Sequence, residues 1–536
     1  MAYFSLHAYD ADVWVREFRG LNQEDESLNS DPMYAVEAEN VETPDGVLQP
    51  QAAPAVYDGE FEDRVETLAS FTRRWYTGSG SNVWYVLCAG GKLYQKQAGS
   101  GAEWDSITLP SGISAYQSSV WSCVTYEIQD ALTGNTIDVL LMSNALDGMI
   151  MVIPPERPTN HGDLEEFTHG DLKSYTHAQL HSPKWTINTV STEGKKFGVI
   201  ERYMERIWGG AIAGEPDMLM YSRPYDPTDW TGPDEDEQPE DAAGDILQPT
   251  WDGDQFHALK RFGNQLLAFK KNRIWRVQNA SPAEYVFSEQ YGGGTAYFNT
   301  IAVDKEKVFM MTADGVSVYD GMTSTPYART LTEELWRNVN RNALDQMCAA
   351  LFHDRYYVAF PTGDSEVNNA MLVYDFTENT ILYYTGFYVE SFMPTDEDLF
   401  MTSSTLPGKV FVLKYDSWVE GRASGAPTKW VTPWMDFGYK RINKGGFDLY
   451  FVPEVQDTAV QIKISVQTEK KMKSKTYTIQ PLTEAQRTNH KEHRGKRLHF
   501  GGTGRRFRII IETEEGVTAP WRLIGGIQMV VETDPD

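Results

Sequence analysis

The chain has 536 residues, 41% of them hydrophobic, with 43 glycines, 26 prolines and a formal net charge of −28. A chain of this length rarely forms a single hydrophobic core, so we expect two to four domains. The many glycines, prolines and aromatic residues indicate a strand-rich protein.

The negative net charge argues against a protein that coats DNA. The sequence contains no run of about 18 apolar residues, so we expect no membrane-spanning helix.

The first 60 residues differ from the rest of the chain. Residues 1–70 hold 16 acidic and 3 basic residues, and the stretch 22–51 is polar and weakly periodic. We interpret residues 1–60 as an acidic arm that packs along another element, with its first firm strand at GVLQPQ (46–51). The start of the chain lacks the charged-then-apolar layout of a secretory signal peptide.

Residues 61–427 repeat a pattern of two apolar runs around a tight turn. In VFMMTADGVSVYDG (308–321) the runs flank Asp314-Gly315, a pair suited to the positive φ of a short hairpin loop. Related hairpins lie at 83–96, 136–154, 206–224, 264–277, 355–376 and 398–416. A four-stranded unit of roughly 40–55 residues predicts a β-propeller of six or seven blades. Two consecutive β-sandwiches are the alternative.

The three cysteines, Cys88, Cys123 and Cys348, lie far apart in this region. Their spacing matches neither a zinc ribbon nor a disulfide framework, so we expect buried thiols in a reducing compartment. A helix is predicted over 331–340, with Thr332 as its N-cap.

An acidic insertion at 225–249 interrupts the repeat. Residues 226–245 hold nine acidic residues and no basic one. Its prolines and acids predict an exposed loop, and the spacing of an EF-hand, which a calcium-binding loop would need, is missing.

Residues 428–536 contain seven strand-like runs, which predict a C-terminal antiparallel β-sandwich. In QIKISVQ, Ile462, Ile464 and Val466 share one face, as in a half-buried strand.

Motifs that carry chemistry are scarce. No G-x-S-x-G elbow is present, and Gly292–Gly294 lacks the context of a phosphate-binding loop. Four histidines fall within 21 residues, His161, His169, His177 and His181. They could ligate zinc, but a polar linker between blades is the simpler interpretation. We therefore expect no enzymatic activity, no cofactor and no bound metal.

A basic tract runs through TNHKEHRGKRLHFGGTGRRFRI (488–509), within a region (438–510) of 16 basic and 6 acidic residues. Its candidate partner-docking residues are Lys491, Arg494, Lys496, Arg497, Arg505 and Arg506. They could dock an acidic partner, keep a strand edge from aggregating, or contact nucleic acid. Interleaved stacking aromatics, which would favour nucleic acid, are absent.

Several stretches resemble the propeller-bearing tail hub or nozzle proteins of short-tailed bacteriophages, also called packaged-DNA stabilisation proteins. They are FRGLNQEDESLNSDPMYAVEAENVETPDGVLQPQ (18–51), FHALKRFGNQLLAFKKNRIWRVQ (256–278), VFMMTADGVSVYDG with its downstream ARTLTEELW, and VTPWMDFGYKRINKGGFDLYF (431–451). The resemblance covers most of the chain but departs from it in the acidic insertion.

The resemblance implies a structural virion protein of the tail, assembled in the host bacterial cytoplasm. Copies of the chain would form a ring around the DNA channel, contact neighbouring tail or portal-adaptor proteins, and help retain and deliver packaged DNA without reading its sequence. Acids that line the channel would repel DNA phosphates and let the duplex slide. The candidates are Asp234, Glu235, Asp236 and Glu237.

Two other classes of function remain open from the sequence. A receptor-binding or carbohydrate-binding tail protein could stack sugars on tryptophans, with Trp208, Trp230, Trp251 and Trp275 as candidates. A depolymerase acting on host polysaccharide is the third class.

Overall fold

The computed structural model contains a ring of small sheets joined to a two-layer sandwich. The residues that it describes are 9–23, 31–74, 81–100, 103–129, 136–155, 184–233, 241–248, 254–281, 284–290, 293–295, 297–312, 315–327, 333–414, 416–436, 443–483 and 495–534. The predicted architecture, a β-propeller followed by a C-terminal antiparallel β-sandwich, is confirmed.

Five short strands precede the ring. They are β1 (Tyr9–Val15), β2 (Glu37–Glu39), β3 (Val41–Glu42), β4 (Gln49–Pro50) and β5 (Ala55–Asp58). They belong to four different sheets, so the N-terminal segment connects distant parts of the molecule.

Seven antiparallel four-stranded units form the blades in the described part of the chain. Blades 1 to 4 contain β6 (Val65–Arg74), β7 (Ser81–Ala89), β8 (Lys92–Gln97), β9 (Asp105–Ser106), β10 (Ser122–Gln129), β11 (Thr136–Asn144), β12 (Gly148–Ile153), β13 (Thr186–Val190), β14 (Phe197–Tyr203), β15 (Arg206–Ile212), β16 (Met218–Tyr221), β17 (Gly244–Leu247), β18 (Ala258–Phe262), β19 (Gln265–Phe269), β20 (Ile274–Ser281) and β21 (Glu284–Gln290).

Blades 5 to 7 contain β22 (Ala302–Val303), β23 (Val308–Thr312), β24 (Gly315–Tyr319), β25 (Ser324–Pro326), β26 (Cys348–Phe352), β27 (Arg355–Phe360), β28 (Ala370–Asp375), β29 (Thr380–Thr385), β30 (Val389–Pro394), β31 (Leu399–Ser403) and β32 (Val410–Leu413). The first strands of most neighbouring blades contact one another, which places them innermost in the ring.

Blade 7 takes its fourth strand from the N-terminal segment, because β5 pairs antiparallel with β32. Phe411 lies opposite Val56, and Val412 lies opposite Ala55. Backbone hydrogen bonds between the start and the end of the ring therefore close it.

Hydrophobic clusters fill the spaces between the blades. Between blade 7 and blade 1, for example, Phe400 and Val410 pack with Leu68 and Leu87. Because each blade is covered on both sides, strands such as β12 are buried along their whole length. This burial explains why the apolar runs in the sequence occupy both faces of a strand, and it is the main stabilising term for the ring.

The C-terminal region supplies seven strands of the sandwich. They are β33 (Lys429–Val431), β34 (Asn443–Val455), β35 (Val460–Thr468), β36 (Met472–Ile479), β37 (Lys496–Gly504), β38 (Phe507–Glu512) and β39 (Trp521–Asp534). One layer has the order β1-β39-β34-β37, and the other layer has the order β33-β38-β35-β36. The eighth strand, β1, comes from the other end of the chain.

Strand β2 joins blade 6 of the propeller and one layer of the sandwich into one continuous sheet. It pairs with β29 of blade 6 on one side and with β33 on the other. A β-carbon at Gly20 would lie 2.3 Å from the carbonyl oxygen of Ile381, so glycine is required where the N-terminal segment passes β29. The amide of Leu21 donates a 2.6 Å hydrogen bond to that oxygen.

One hydrophobic cluster spans the junction. It contains Phe18 of the N-terminal segment, Phe309 and Tyr356 of blades 5 and 6, and Trp430 and Ile527 of the sandwich. Phe18 meets Trp430 edge to face at 5.0 Å between ring centroids. The propeller and the sandwich therefore share a core as well as a sheet.

A buried polar network fastens the same segment to blade 6. The Glu42 carboxylate accepts a hydrogen bond from the Tyr384 hydroxyl and lies 3.7 Å from the Arg355 guanidinium, whose Nε binds Asp375 at 2.6 Å. Burial raises the pKa of Glu42 to about 7, although Arg355 and Tyr384 act in the opposite direction. A carboxyl group at this site therefore changes charge close to neutral pH.

Two α-helices interrupt the described strands, α1 (Glu333–Arg337) and α2 (Ser417–Glu420), together with 3₁₀ turns at Pro44–Gly46, Phe298–Thr300 and Leu344–Gln346. Helix α1 ends at Arg337, before the end of the helix predicted over 331–340, because the chain turns after it and Val339 bridges to Thr362. The predicted N-cap Thr332 lies outside the described residues. Neither helix is long and apolar enough to cross a membrane.

The three cysteines are free, with Cys88 and Cys348 buried and Cys123 partly exposed.

Candidate docking site on the sandwich

The two layers of the sandwich both end in an edge strand on the same side. Strand β36 is the last strand of one layer, and β37 is the last strand of the other. An edge strand presents unpaired backbone groups that can pair with another chain. On this side of the sandwich, therefore, the edge strands could pair with the backbone of a partner.

Strand β36 carries two lysines at positions that would otherwise face the core. Lys473 lies opposite Val466, and Lys475 lies opposite Ile464. Both partners on β35 are buried, and residues directly opposite in an antiparallel pair share a face. Lys473 and Lys475 therefore stand on the inner face of the layer, yet both are exposed. The sandwich opens at this end of β36.

The opening is a groove of about 530 Å³ between β36 and β37. We call it the lysine groove, and its lining includes four lysines, two glycines and an apolar floor: Lys470, Lys471, Lys473, Lys475, Gly501, Gly502, Phe447, Val466 and Phe500. The Lys475 ammonium lies 5.6 Å from the centroid of the Phe500 ring, a cation–π distance. The described residues include no ion pair of Lys473 or Lys475.

A carboxylate joins the two turns at the same end of the sandwich. Glu469, in the turn between β35 and β36, accepts the backbone amides of Arg505 (2.7 Å) and Arg506 (3.0 Å) in the turn between β37 and β38. Partial burial opposes ionisation of Glu469, but the two amides lower its pKa below the ordinary value. The two turns are thus held together while the arginine side chains remain exposed.

The structure separates the predicted docking residues. Arg505 and Arg506 lie beside the lysine groove, whereas Lys496 and Arg497 begin β37 at its far end, about 26 Å away at roughly 3.3 Å per residue. Arg497 is paired with Asp448 at 2.6 Å. The other two predicted residues, Lys491 and Arg494, lie outside the described residues.

The lysines of the groove are not among the docking residues predicted from the sequence. They lie in TEKKMKSK (468–475), which precedes the basic tract 488–509. The missed signal is strand alternation, because the inward parity of Ile479 and Tyr477 continues to Lys475 and Lys473. A charge at an inward position of a strand marks a place where the core ends.

The remaining sequence candidates divide between buried and undescribed positions. Asp234 to Glu237, the histidines from His161 to His181, and Trp251 lie outside the described residues. Trp208, Trp230 and Trp275 are buried, so they do not offer faces to a sugar. Within the described ranges no cluster of three metal-ligating side chains occurs.

Comparisons with known proteins bear on the fold alone. No family model and no curated protein matches the chain. Structural matches include BBS1N in complex with ARL6DN (10% identity, TM-score 0.37, 69% of this chain and 97% of that one) and the Neurospora crassa Pan2 WD40 domain (10%, 0.34, 69% and 96%). PorZ of Porphyromonas gingivalis also matches (10%, 0.37, 85% of this chain and 61% of that one). At these TM-scores the likenesses say nothing further about this chain.

Proposed function

We propose that the chain is a non-enzymatic structural protein of a phage tail. Several copies would form a hub or nozzle ring around the DNA channel of the virion, and the ring would help to retain and deliver packaged DNA. The resemblance of the sequence to tail hub and nozzle proteins suggests this role. The host bacterial cytoplasm is then the place of assembly.

The observation that carries the proposal is the junction between propeller and sandwich. A part that transmits force in an assembly must not flex between its domains. Here β2 makes blade 6 and one layer of the sandwich a single nine-stranded sheet, and one hydrophobic cluster crosses the junction. Domains joined only by a linker move relative to each other by default, whereas a shared sheet and core oppose that motion.

The distribution of charge supports assembly through opposite charges. The chain is acidic overall, at −28, yet the sandwich presents the lysine groove and the exposed Arg505 and Arg506. Acidic neighbours, including acidic regions of other copies, would be attracted to this edge. The acidic channel surface would in turn repel the DNA backbone.

Localisation in the particle tests the proposal. The chain would be produced with a small C-terminal tag in the phage that encodes it, and tagged and untagged particles would be compared by cryo-EM. The proposal predicts a ring of additional density coaxial with the tail channel. Density on peripheral spikes, or no density in the particle, would overturn it.

Substitution of Asp234, Glu235, Asp236 and Glu237 by their amides tests the channel assignment. Neutral side chains would repel DNA less, so we expect slower ejection than in a control with Glu514→Gln and Glu515→Gln, which change an exposed turn of the sandwich. Equal ejection rates would show that residues 234–237 do not face the DNA.

A second candidate function, binding of a surface glycan, is favoured by one row of side chains. Trp14 is 54% exposed and Tyr450 is 38% exposed, and both lie opposite Gln528 across the layer β1-β39-β34. Two flat rings about 10 Å apart with an amide between them could stack on sugar rings. In the particle, peripheral density would favour this function over the ring.

A further inference from the structure

We propose that the lysine groove binds an extended acidic segment of another protein chain by strand addition to β37. The inference deepens the docking role and rests on the proposed function for its biological setting. Its physical basis is independent of that setting, because it depends only on the edge of the sandwich.

A glycine pair lies in the edge strand β37 where its register with β34 shifts, between the pairs Gly445–Thr503 and Phe447–Phe500. Gly501 and Gly502 line the groove, both are exposed, and a β-carbon at either would have no atom within 4 Å. A glycine in a strand marks a bulge or a place where another backbone approaches closely. At this bulge no side chain covers the edge, so a peptide backbone can approach it.

The wall opposite the glycines is positively charged. Four lysines line the groove there, Lys470, Lys471, Lys473 and Lys475. Carboxylates on the added strand would lie within reach of these ammonium groups and would be preferred over other side chains. A basic side chain entering the groove would be repelled.

The floor of the groove is apolar. Phe447 and Phe500 are buried aromatic residues, and Val466 completes the apolar surface beneath the lysines. These side chains are at most about 2% exposed, so the floor leaves no room for bulky side chains, and the added strand is held by its backbone and its charges. The expected occupant therefore has acidic residues at alternate positions, near the lysines, with small residues between them.

Nucleic acid fits the groove less well. The aromatic rings of the floor are about 1% exposed, so they offer no face on which bases could stack.

The binding test uses the full chain and a labelled peptide of alternating glutamate and alanine, roughly six residues or about 20 Å long when extended. Fluorescence polarisation should show saturable binding that weakens with added salt, since the attraction is electrostatic. The same peptide with glutamine in place of glutamate should bind at least about tenfold more weakly. Absence of saturable binding would overturn the inference.

Three variants locate the binding. The double variant Lys473→Ser/Lys475→Ser should weaken peptide binding about tenfold or more, as removal of close charge pairs does. Gly501→Val adds bulk beside the paired edge and should weaken binding while leaving the charge unchanged. Lys463→Ser removes a lysine on the outer face of the neighbouring strand β35, where it pairs with Glu512 at 3.0 Å, and should leave binding unchanged.

Other outcomes would contradict the inference. A single-stranded thymidine oligonucleotide that competes as well as the peptide would make the groove a general anion surface. If the lysine variants kept full affinity and only aggregated, the lysines would serve to protect the edge. Peptide binding without a tail ring in the particle would refute the proposed function but support peptide binding by the groove.

A tail ring without peptide binding would support the proposed function and refute peptide binding by the groove.

Discussion

At the scale of single residues, the most informative positions are buried charged side chains that the local sequence pattern would place at the surface. Glu42 is buried with Arg355, Tyr384 and Asp375, and these partners replace only part of the hydration that a carboxylate loses on burial. The network joins the N-terminal segment to blade 6, so its charge state affects how firmly that segment is held.

Substitution of Glu42 by glutamine should change how stability depends on pH. Because burial raises the folded-state pKa of Glu42 to about 7, its stabilising contribution is complete below the unfolded value of about 4.5 and is lost as pH rises through 7. The wild type should therefore lose stability relative to Glu42→Gln between pH 5 and 8, by about 1.4 kcal/mol per unit of pKa difference at most. Urea unfolding across this pH range measures the difference.

The control is Glu37→Gln, which removes a carboxylate of the same segment whose side chain is 40% exposed. A wild-type stability that rises with pH relative to Glu42→Gln would mean that attraction to Arg355 outweighs the cost of burial.

At the scale of elements, the N-terminal segment with strands β1 to β5, which we call the strap, connects the sandwich to two blades of the propeller. Strand β1 completes the sandwich, β2 links it to blade 6, and β5 closes blade 7. Each of these pairings joins residues that are far apart in sequence. The strap is therefore the element on which the closed ring and the junction both depend.

Two truncations separate these contributions. A chain of residues 17–536 lacks β1 but keeps β5, so we expect a closed propeller and a sandwich that associates through the exposed edge of β39. A chain of residues 61–536 also lacks β5, the fourth strand of blade 7. The β32 amides should then lose their protection from hydrogen exchange. Hydrogen exchange and light scattering measure both effects. Full protection of β32 in the shorter chain would contradict the closure.

The sequence predicted the elements whose signals are local. Asp-Gly turns and alternating apolar runs were enough for the blades, and Ile462, Ile464 and Val466 were enough for an inner sandwich face. The strap was not predicted in detail, because β2 and β5 are short and acquire their structure only from distant partners. The lysines of the groove had a local signal in strand alternation, but the groove itself did not, since its two walls are brought together only by the stacking of layers.

At the scale of the whole molecule, the shared sheet and core predict that the propeller and the sandwich move as one rigid body. The chain has the length of several domains, yet its largest hydrophobic cluster extends from blades 5 and 6 through the strap into the sandwich. In the proposed assembly, such a body would transmit force from the lysine groove to the propeller without a hinge. Its rigidity is the property that the proposed place in a tail would use.

Native-state hydrogen exchange measures that rigidity most directly. Amides of β28 in blade 6 and of β35 in the sandwich would be followed at increasing denaturant concentrations below the unfolding transition. A shared core and sheet predict that both sets exchange through the same cooperative opening, with one free energy. A sandwich that opens at a clearly lower free energy while β28 stays protected would contradict the account.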